Sequence, residues 1–524
     1  MQHGGRIFVL FALVWSVNPC HGWMMEGTLD RWTKRTTKSR LVAASDASSS
    51  SSSASGNALP RWKTKVAQAM QLSRLSAQNI TAAYAAADLW EKLLNEPTVD
   101  VPVQGLCHTI YATTLVRLGR DDQALRSYDT ALSYASQLDE ETQISIHLGQ
   151  AACWQRLLDY DRALQAYQMA STAEGAWGAF VCAMRAPNIT LAREILFRAV
   201  QRYPENTRLT DAYNTWQTLF DDQARDKDKE WDNLTHWKPK DLSSMVEFNV
   251  GPFDDPFLRY LDDKIDLHNL LMRHANRTER YWPPSFVWPL EKGKWQDDPA
   301  SHPHESTSMW MVKTRAGYGS HGNAILPARE ISSMLEDKSS SLLVQKIIDK
   351  PLLFKQRVCS LRIYVHYTLG FPPLVSSLGL VKLAALRFQA DSFDAATRMT
   401  NSGRYDDTDQ IDLNEFRKSV GNEHYERIFL QIQSAVETVI NIYADGTAEL
   451  VNDVQCRQYR NRLQLAGFPK VLGFDFLVDQ NDQPWLLEVN RFPGLEPRND
   501  QDAQVKEAVL VEAWEIATER ISSR

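Results

Sequence analysis

The chain has few cysteines, and none of them stands in the C-x-x-C spacing that zinc sites and redox centres use. The six are spread over 524 residues, at Cys20, Cys107, Cys153, Cys182, Cys359 and Cys456. A dense disulfide framework needs several closely spaced pairs in a short chain. The sparse usage indicates neither a disulfide-stapled fold nor a zinc site, and it leaves the redox compartment open.

An excess of positive charge is also missing: 58 Lys and Arg residues face 65 Asp and Glu residues, for a formal net charge of −7. Proteins that bind duplex nucleic acid normally cluster an excess of Lys and Arg on one surface. The composition therefore predicts no nucleic-acid partner, and an acidic substrate must be met by a local basic patch. An apolar content of 43% excludes disorder as a description of the whole chain.

Long hydrophobic runs are absent except at the N-terminus, where Arg6 precedes the apolar run Ile7–Val17. That run is too short to span a bilayer, which takes about 20 residues. Residues 1–22 are typical of a signal peptide, because Cys20 and Gly22 place small residues at positions −3 and −1 of a cut before Trp23. We therefore expect entry into the secretory pathway and no membrane span after signal removal.

Residues 23–60 are rich in Ser, Thr, Lys and Arg and contain the run Ser48–Ser53, which indicates a disordered linker or a targeting segment. A signal peptide followed by such a stretch resembles the bipartite presequence of complex plastids, so delivery onward to a plastid is one interpretation. The alternative is that translation starts at Met24 or Met25 and the protein is cytosolic.

Residues 61–220 show helical apolar spacing and an internal repeat. A small residue, a large aromatic or aliphatic residue and an apolar residue recur at helical spacing, at Ala86, Trp90 and Leu93, at Ala124, Tyr128 and Ala131, at Ala163, Tyr167 and Ala170, and at Ala192, Leu196 and Ala199. The pattern resembles the tetratricopeptide repeat with degenerate periods. It predicts either a concave surface for a peptide or protein partner or a helical spacer whose repeated residues fill its own core.

A second domain is predicted over residues 224–524, and the charged run Asp221–Glu230 marks its boundary with the helical region. From Tyr281 onward, short β-rich runs alternate with helical stretches, as in an α+β or α/β enzyme. The predicted strands are Ser308–Lys313, Ser341–Ile348, Ser360–Leu369, Leu374–Leu380 and Val471–Val478.

A glycine-rich loop with Gly317, Gly319 and Gly322 follows the first of these strands. Glycines let backbone N–H groups close on phosphate oxygens, and Lys313 at the strand end would add a point charge. The loop lacks the Gly-Lys-Ser/Thr ending of a P-loop, so the alternative is an ordinary hairpin turn.

Two further strands carry polar residues that could face a cleft. The strand around Gln345, Lys346, Ile347 and Ile348 could hold a flat base by backbone hydrogen bonds, or it could be a buried strand with an exposed lysine. In the next strand the period-2 alternation places Arg362 on the face opposite its apolar neighbours, toward either a cleft or solvent.

A β-hairpin is predicted from Gly473–Asp479, a polar turn, and a second strand that ends at Asn490. Glu488 and Asn490 lie at i and i+2 and therefore share a face, where Asp475 of the first strand can join them. Carboxylate and amide oxygens suit Mg²⁺, which takes few protein ligands and completes its shell with phosphate oxygens. The alternative is a hairpin with one solvated face.

Taken in order, these segments resemble the tubulin-tyrosine-ligase-like family. The resemblance begins at Tyr281-Trp282-Pro283-Pro284 and is clearest at Gln345-Lys346-Ile347-Ile348-Asp349-Lys350-Pro351. It closes on Gly473-Phe474-Asp475-Phe476 and Leu487-Glu488-Val489-Asn490. It implies an α+β ATP-grasp catalytic domain after an all-α, tetratricopeptide-like region.

The resemblance also implies a reaction: ATP- and Mg²⁺-dependent amide formation, of the tyrosination or glutamylation type, between a free amino acid and a protein acceptor, tubulin or another protein, through an acyl phosphate. Lys313 and the glycine loop would hold the ATP phosphates, and Gln345–Ile348 would frame the adenine. Asp475, Glu488 and Asn490 would hold Mg²⁺, while Arg362 and Lys382 would stabilise the transferred charge.

Four positions depart from the family pattern. Val358-Cys359-Ser360 stands where the family usually has Lys-Phe-Asp, and Lys382 replaces the usual Arg. Ser360 offers at most a neutral hydrogen bond, and lysine loses the bidentate geometry of arginine. The alternative hypothesis is therefore a non-catalytic module, in which the repeats bind a protein and the ATP-grasp domain is degenerate.

Overall fold

A computed structural model describes residues 61–76, 80–95, 101–220, 246, 249, 251, 253–299, 308–315, 323–335, 341–400, 410–451, 454–467, 469–495 and 499–522. The predicted signal peptide (1–22), the 23–60 segment, the charged run 221–230 and the glycine loop with Gly317, Gly319 and Gly322 lie outside this set. Within it, no helix is both long enough and apolar enough to cross a membrane.

The chain divides into two compact units, Met1–Ala183 with Ile195–Leu209, and Met184–Glu194 with Thr210–Arg524. The helices up to residue 220 are α1 Arg61–Leu75, α2 Ile80–Leu94, α3 Val101–Arg117, α4 Asp121–Leu132, α5 Glu140–Arg156, α6 Tyr160–Ala170, α7 Ala173–Arg185, α8 Ile189–Arg202 and α9 Thr207–Phe220. The predicted helical region is therefore confirmed, while its assignment to the tetratricopeptide class stays a prediction.

The repeated residues of this region are buried, which gives a physical reason for the repeat. Ala124, Ala163 and Tyr128 are fully buried, and Tyr167 is nearly so. Each tyrosine packs against a glycine of a following helix, Tyr128 against Gly149 of α5 and Tyr167 against Gly178 of α7, where a Cβ atom would collide with the ring. These side chains fill the core of the helical unit, as the spacer interpretation expects of them.

The second unit contains two antiparallel sheets and the helices that cover them. Besides α9 from Thr210 and the start of α8, its described helices are α10 Arg259–Asp262, α11 Lys264–Met272, α12 Ala275–Thr278, α13 Lys292–Asp297, α14 Ala328–Leu335, α15 Leu413–Val420, α16 Asn422–Leu450, α17 Val454–Ala466 and α18 Asp500–Ser522. Its strands are β1 Ser285–Trp288, β2 Met309–Thr314, β3 Ala324–Pro327, β4 Leu342–Lys346, β5 Leu353–Phe354, β6 Arg357–Tyr367, β7 Leu374–Leu383, β8 Gln410–Asp412, β9 Lys470–Val478 and β10 Pro484–Asn490.

The smaller sheet has the strand order β1-β4-β2-β3. Its core is aromatic, because Trp288, Trp295 and Trp310 pack edge to face with ring centroids about 6 Å apart and join the apolar face of α14. This packing fixes β2 and β4, the strands that carry Lys313 and Gln345.

The larger sheet has the order β10-β9-β6-β7-β8, with β5 paired to β6. β6 and β9 lie in its middle and are buried along nearly their whole length. On one face, α18 packs Val505 and Val509 against Tyr364 and Leu380. The mixed architecture agrees with the predicted α+β class, and each predicted strand is present with its ends shifted by a few residues.

Candidate functional site

Strand register gathers the polar residues of the larger sheet on one face. Arg362 of β6 lies opposite Asp475 of β9, and Ser360 of β6 lies opposite Lys382 of β7. Residues directly opposite in antiparallel strands point to the same side, and so do residues two apart in one strand. Arg362, Lys382 and Asp475 therefore converge beyond the end of the apolar cluster under α18.

A β-bulge brings Glu488 into this group. Leu486 pairs with Phe476, but the next paired position is Glu488 with Asp475, so Leu487 is the extra residue. In a regular ladder Leu487 would oppose Asp475, and Glu488 would point to the other face. After the bulge Asn490 pairs with Gly473 and shares the face of Glu488.

Asp475 is the centre of a buried ionic network. Arg362 donates from Nε to Oδ1 at 2.5 Å and from Nη2 to Oδ2 at 2.8 Å, and Lys382 Nζ donates to Oδ2 at 3.0 Å. Asn490 Nδ2 lies 3.4 Å from the same Oδ2. Burial alone raises the pKa of the Asp475 carboxyl, but Arg362 and Lys382 outweigh burial and hold that pKa well below its usual range. Asp475 is therefore ionised at any physiological pH.

Lys313 links the two sheets of the second unit. Its ammonium donates to Gln345 Oε1 at 2.6 Å on β4 and to the backbone oxygen of the bulge residue Leu487 at 3.2 Å. Gln345 in turn donates from Nε2 to Ser285 Oγ at 2.9 Å. These bonds hold the lysine at the junction of β2, β4 and β10, next to Glu488.

The structure adds Lys264, the first residue of α11, which the sequence analysis missed. Its side chain is 9% exposed, and its Nζ lies 3.8 Å from Glu488 Oε2. No local pattern identifies it, because it precedes an ordinary helical run and lies more than 200 positions from Glu488 in the sequence. Only the fold brings it to the site.

Positive charge exceeds negative charge at this face. Among the residues that the structure describes here, the cations Lys264, Lys313, Arg362 and Lys382 outnumber the carboxylates, which are Asp475, Glu488 and the buried Asp262 near Lys264. Buried charges need partners, so the excess of positive charge favours an anionic ligand. A polyphosphate supplies the missing negative charge, and the donor set therefore fits the phosphates of ATP.

An apolar patch adjoins the charged group. Val358, Ala384 and Leu477 are buried there, with half-buried Ile348 and Leu487 packed against them. Half-buried apolar side chains beside backbone groups suit the flat face of a nucleotide base. Val358, one of the departures from the family pattern, belongs to this apolar patch, and Ser360 is hydrogen-bonded to Thr400, with 2.6 Å between the hydroxyl oxygens.

The four residues predicted to frame the base, Gln345–Ile348, do not all lie beside the charged group. Lys346 is the last residue of β4, and Ile347 packs against Met309 and Met399 rather than against the apolar patch. Ile348 and Gln345 are the two that lie beside the charged group.

The predicted metal ligands share one face, and they fit a magnesium ion that takes few protein oxygens. Asp475 is engaged by Arg362 and Lys382, so Glu488, with Lys264 at 3.8 Å, is the carboxylate most open to a metal. In the described part of the chain, this face included, no group of three or more His, Cys, Asp or Glu side chains is placed to hold a metal ion, so the protein alone does not complete a metal site here. The site thus matches a metal whose remaining ligands are phosphate oxygens.

The fold and this site define an ATP-grasp-like domain. The family model described as the Tubulin-tyrosine ligase family matches residues 256–520, and the chain belongs to that family.

Named relatives include a protein called probable tubulin polyglutamylase TTLL2 from Mus musculus, which is 27% identical over 357 residues, 62% of this chain and 61% of that protein. The probable tubulin polyglutamylase ttll-9 of Caenorhabditis elegans is 26% identical over 253 residues, 44% of this chain and 56% of that protein. Tubulin glycylase 3D of Tetrahymena thermophila is 26% identical over 242 residues, 42% of this chain and 22% of that protein. The chain therefore spans less than two thirds of each.

Nucleotide affinity is expected to fall as the pH rises through 8. Burial lowers the pKa of Lys313 to about 8, although Glu488 opposes that shift, and burial together with Arg362 lowers the pKa of Lys382 to about 8. Phosphate binds the protonated ammonium, so affinity is fully present below this pKa and is lost above it. Calorimetric titrations with ATP between about pH 7 and about pH 9.5, at constant ionic strength, should show a loss of more than about tenfold. Constant affinity over this range would contradict the assignment of the two lysines.

Proposed function

We propose that this protein is an ATP- and Mg²⁺-dependent ligase that joins a free amino acid to a carboxylate of a protein acceptor, with tubulin as the first candidate. The observation that carries the proposal is the buried face on which Lys264, Lys313, Arg362 and Lys382 surround Asp475 and Glu488. Tubulin is chosen because the relatives' names are those of tubulin polyglutamylases and a tubulin glycylase.

The chemistry proposed is phosphoryl transfer followed by amide formation. The acceptor carboxylate takes the γ-phosphoryl group of ATP, and the amino nitrogen of the incoming amino acid displaces phosphate from the acyl phosphate. Such transfer needs little covalent help from protein, because catalysis comes from positioning and from charges placed where negative charge spreads.

The chain's own residues suit these tasks. Arg362 and Lys382 are held by Asp475 and present fixed positive charge, which needs no reorganisation when phosphoryl oxygens gain charge. Lys313 is fixed by Gln345 and Leu487 and can bind phosphate oxygens at the end of β2. Glu488 and Asn490 are the residues that would hold Mg²⁺, and the patch around Ile348 and Leu487 would receive the base.

Val358 and Ser360 raise the alternative of a non-catalytic role. The retained group of four cations around Asp475 and Glu488 argues against it, because such a buried charged group is costly to keep without a ligand. Peptide binding by the helical region, and the targeting proposed from residues 1–60, are separate proposals.

The test is amino-acid incorporation. The full chain is incubated with ATP, Mg²⁺, tubulin and radiolabelled glutamate, glycine or tyrosine in separate reactions, and a second set replaces tubulin with cell extract. We expect ATP-dependent label in a tubulin band with one of the amino acids. Label confined to another protein of the extract would identify that protein, rather than tubulin, as the acceptor. The absence of label from every band would contradict ligation.

A further inference from the structure

The chain leaves β10 at Asn490 and continues as an irregular segment, residues 491–495, beside the site. Pro493 of this segment packs so closely on Gly473 that a Cβ atom at Gly473 would collide with it. Leu495 joins the apolar cluster under α18. Element ends fray unless the chain beyond them is held. The anchors of this segment therefore decide how firmly Asn490, a predicted metal ligand, is placed.

Arg491 is held by two aspartates. Its guanidinium donates from Nε to Asp254 Oδ2 at 3.0 Å, and its backbone N–H donates to Asp262 Oδ1 at 3.1 Å. Lys470, the first residue of β9, also contacts Asp254 Oδ2, at 2.9 Å. Asp254 therefore clamps the start of β9 and the end of β10 together, at the end of the hairpin opposite its turn.

Phe492 has three cations around its ring. Lys470 Nζ lies 4.4 Å from the ring centroid, and the guanidinium carbons of Arg185 and Arg491 lie 5.0 Å and 5.2 Å from it. Cations over an aromatic face are attracted by the ring quadrupole. Lys470 and Arg491 belong to the hairpin and its continuation, so Arg185 is the one of these three cations that ties the ring to a distant part of the chain.

Arg185 is the last residue of α7, and it belongs to the second compact unit together with the rest of residues 184–194. The start of α8, a few residues further on, is fixed within the same unit by a hydrogen bond of 2.8 Å from Thr190 Oγ1 to Gln455 Oε1 of α17. The backbone that carries Arg185 is therefore held on the side that follows it.

Arg185 also supports the second anchor, Asp262. Burial raises the pKa of this carboxyl, and Arg185 is one of the cations that oppose the shift and favour the charged form. An ionised carboxylate accepts a stronger hydrogen bond than a neutral one, here from the backbone N–H of Arg491. Arg185 thus acts on both the ring of Phe492 and the acceptor of this N–H.

We propose that Arg185 is a positioning residue of the metal site, supplied from outside the catalytic domain that the sequence predicts to begin at residue 224. It holds Phe492 and favours the charged form of Asp262, and these two hold the backbone that follows Asn490. This inference rests on the proposed function, because it takes Asn490 as a ligand of Mg²⁺. The last residues of α7 are then required for a fully formed metal site.

Hydrogen–deuterium exchange of the full chain, without metal or nucleotide, tests the anchoring itself. A peptide that contains residues 490–495 is followed in the wild type, in Arg185→Met and Arg185→Lys, and in Arg193→Met, which removes an exposed arginine of α8 as the matched control. We expect Arg185→Met to speed exchange in this peptide about threefold, since one cation–π contact of a half-buried ring is lost. Arg185→Lys keeps the charge, so it and Arg193→Met should exchange as the wild type does.

Calorimetric titration of ATP into the full chain, with Mg²⁺ and with EDTA, tests the consequence for the metal. We expect Arg185→Met to weaken binding about threefold with Mg²⁺ and to leave the affinity in EDTA unchanged, because the segment acts on a metal ligand. Arg185→Glu should weaken Mg²⁺-dependent binding about tenfold, because its carboxylate would face the ring and repel Asp262. Arg193→Glu should bind as the wild type does.

The outcomes separate this inference from the function on which it rests. A wild-type chain that binds no ATP overturns the proposed function, and the metal role of Arg185 with it. Wild-type binding that Arg185→Met and Arg185→Glu retain in full overturns the role of Arg185 alone. An equal loss with Mg²⁺ and with EDTA also overturns it, because Arg185 would then support the fold and not the metal ligand.

A second variant keeps the inference testable if Arg185→Met has a folding defect, which circular dichroism melts of each variant identify. Phe492→Leu removes the ring and keeps the arginine, so it should show the same Mg²⁺-dependent loss and the same faster exchange. Wild-type affinity in a folded Phe492→Leu chain would overturn the proposal.

Discussion

Ligation by the Glu488→Gln variant is expected to be more than about a hundredfold slower than by the wild type, while thermal unfolding stays the same. Glutamine keeps the shape of the side chain but removes the carboxylate charge that a metal needs, and even outer-shell changes at metal sites cost about 10- to 100-fold. The stability effect is small because the side chain is 19% exposed and its ion pair with Lys264 is 3.8 Å long. Incorporation rates and a circular-dichroism melt measure both quantities.

Glu449→Gln is the matched control for this variant. Glu449 is an exposed residue of α16, so the same chemical change there should leave incorporation and melting unchanged. If Glu488→Gln keeps more than half of the wild-type rate, Glu488 is not a metal ligand of the reaction.

Asp475→Asn is expected to lower both activity and stability. The carboxylate is buried and pairs with Arg362 and Lys382, and an amide leaves both cations without a counter-charge. Breaking a buried ion pair by removal of one partner costs about 3 to 5 kcal/mol. At about 2 to 4 °C per kcal/mol, the melting temperature should fall by at least about 6 °C. Scanning calorimetry of the full chain measures this shift.

Two further variants show whether the stranded charges of Arg362 and Lys382 cause the loss of stability. Asp445→Asn changes an exposed aspartate of α16, and this variant should have the same melting temperature as the wild type. Adding Lys382→Met to Asp475→Asn removes one of the two stranded cations, so the double variant should regain part of the lost stability. A double variant that is less stable than Asp475→Asn would contradict this explanation.

The two carboxylates have different surroundings, so their variants are expected to differ. Glu488 and Asp475 lie opposite each other across β9 and β10, yet one carboxylate is bound by two cations and the other is partly open. Asp475 therefore holds Arg362 and Lys382 in place, whereas Glu488 is available to a metal.

The sequence predicts the strands of the site because their patterns are local. The period-2 alternation places Arg362 on a polar face, and the Glu488–Asn490 spacing places those two residues together, both of which agree with the observed register. The bulge at Leu487 is not predictable from the same pattern. It depends on how β10 pairs with β9, and without it the alternation puts Glu488 on the face opposite Asp475.

The sequence also does not reveal which residues, distant along the chain, contact the predicted motifs in the fold. The apolar spacing indicates the helical repeat, and the predicted positions such as Tyr128 and Tyr167 are buried as that spacing expects. The glycines against which these tyrosines pack, and the contact between Lys264 and Glu488, depend on tertiary structure. Neither has a fixed spacing from the motif that it completes.

Calorimetric titration of Mg²⁺·ATP into the full chain is the decisive test of the proposed nucleotide site, because every step of the proposed ligation requires that binding. We expect saturable binding at one site per chain, stronger with Mg²⁺ than with EDTA and lost in Glu488→Gln when the metal is present. A folded wild-type chain that shows no binding heat and no nucleotide-dependent rise in melting temperature would contradict it.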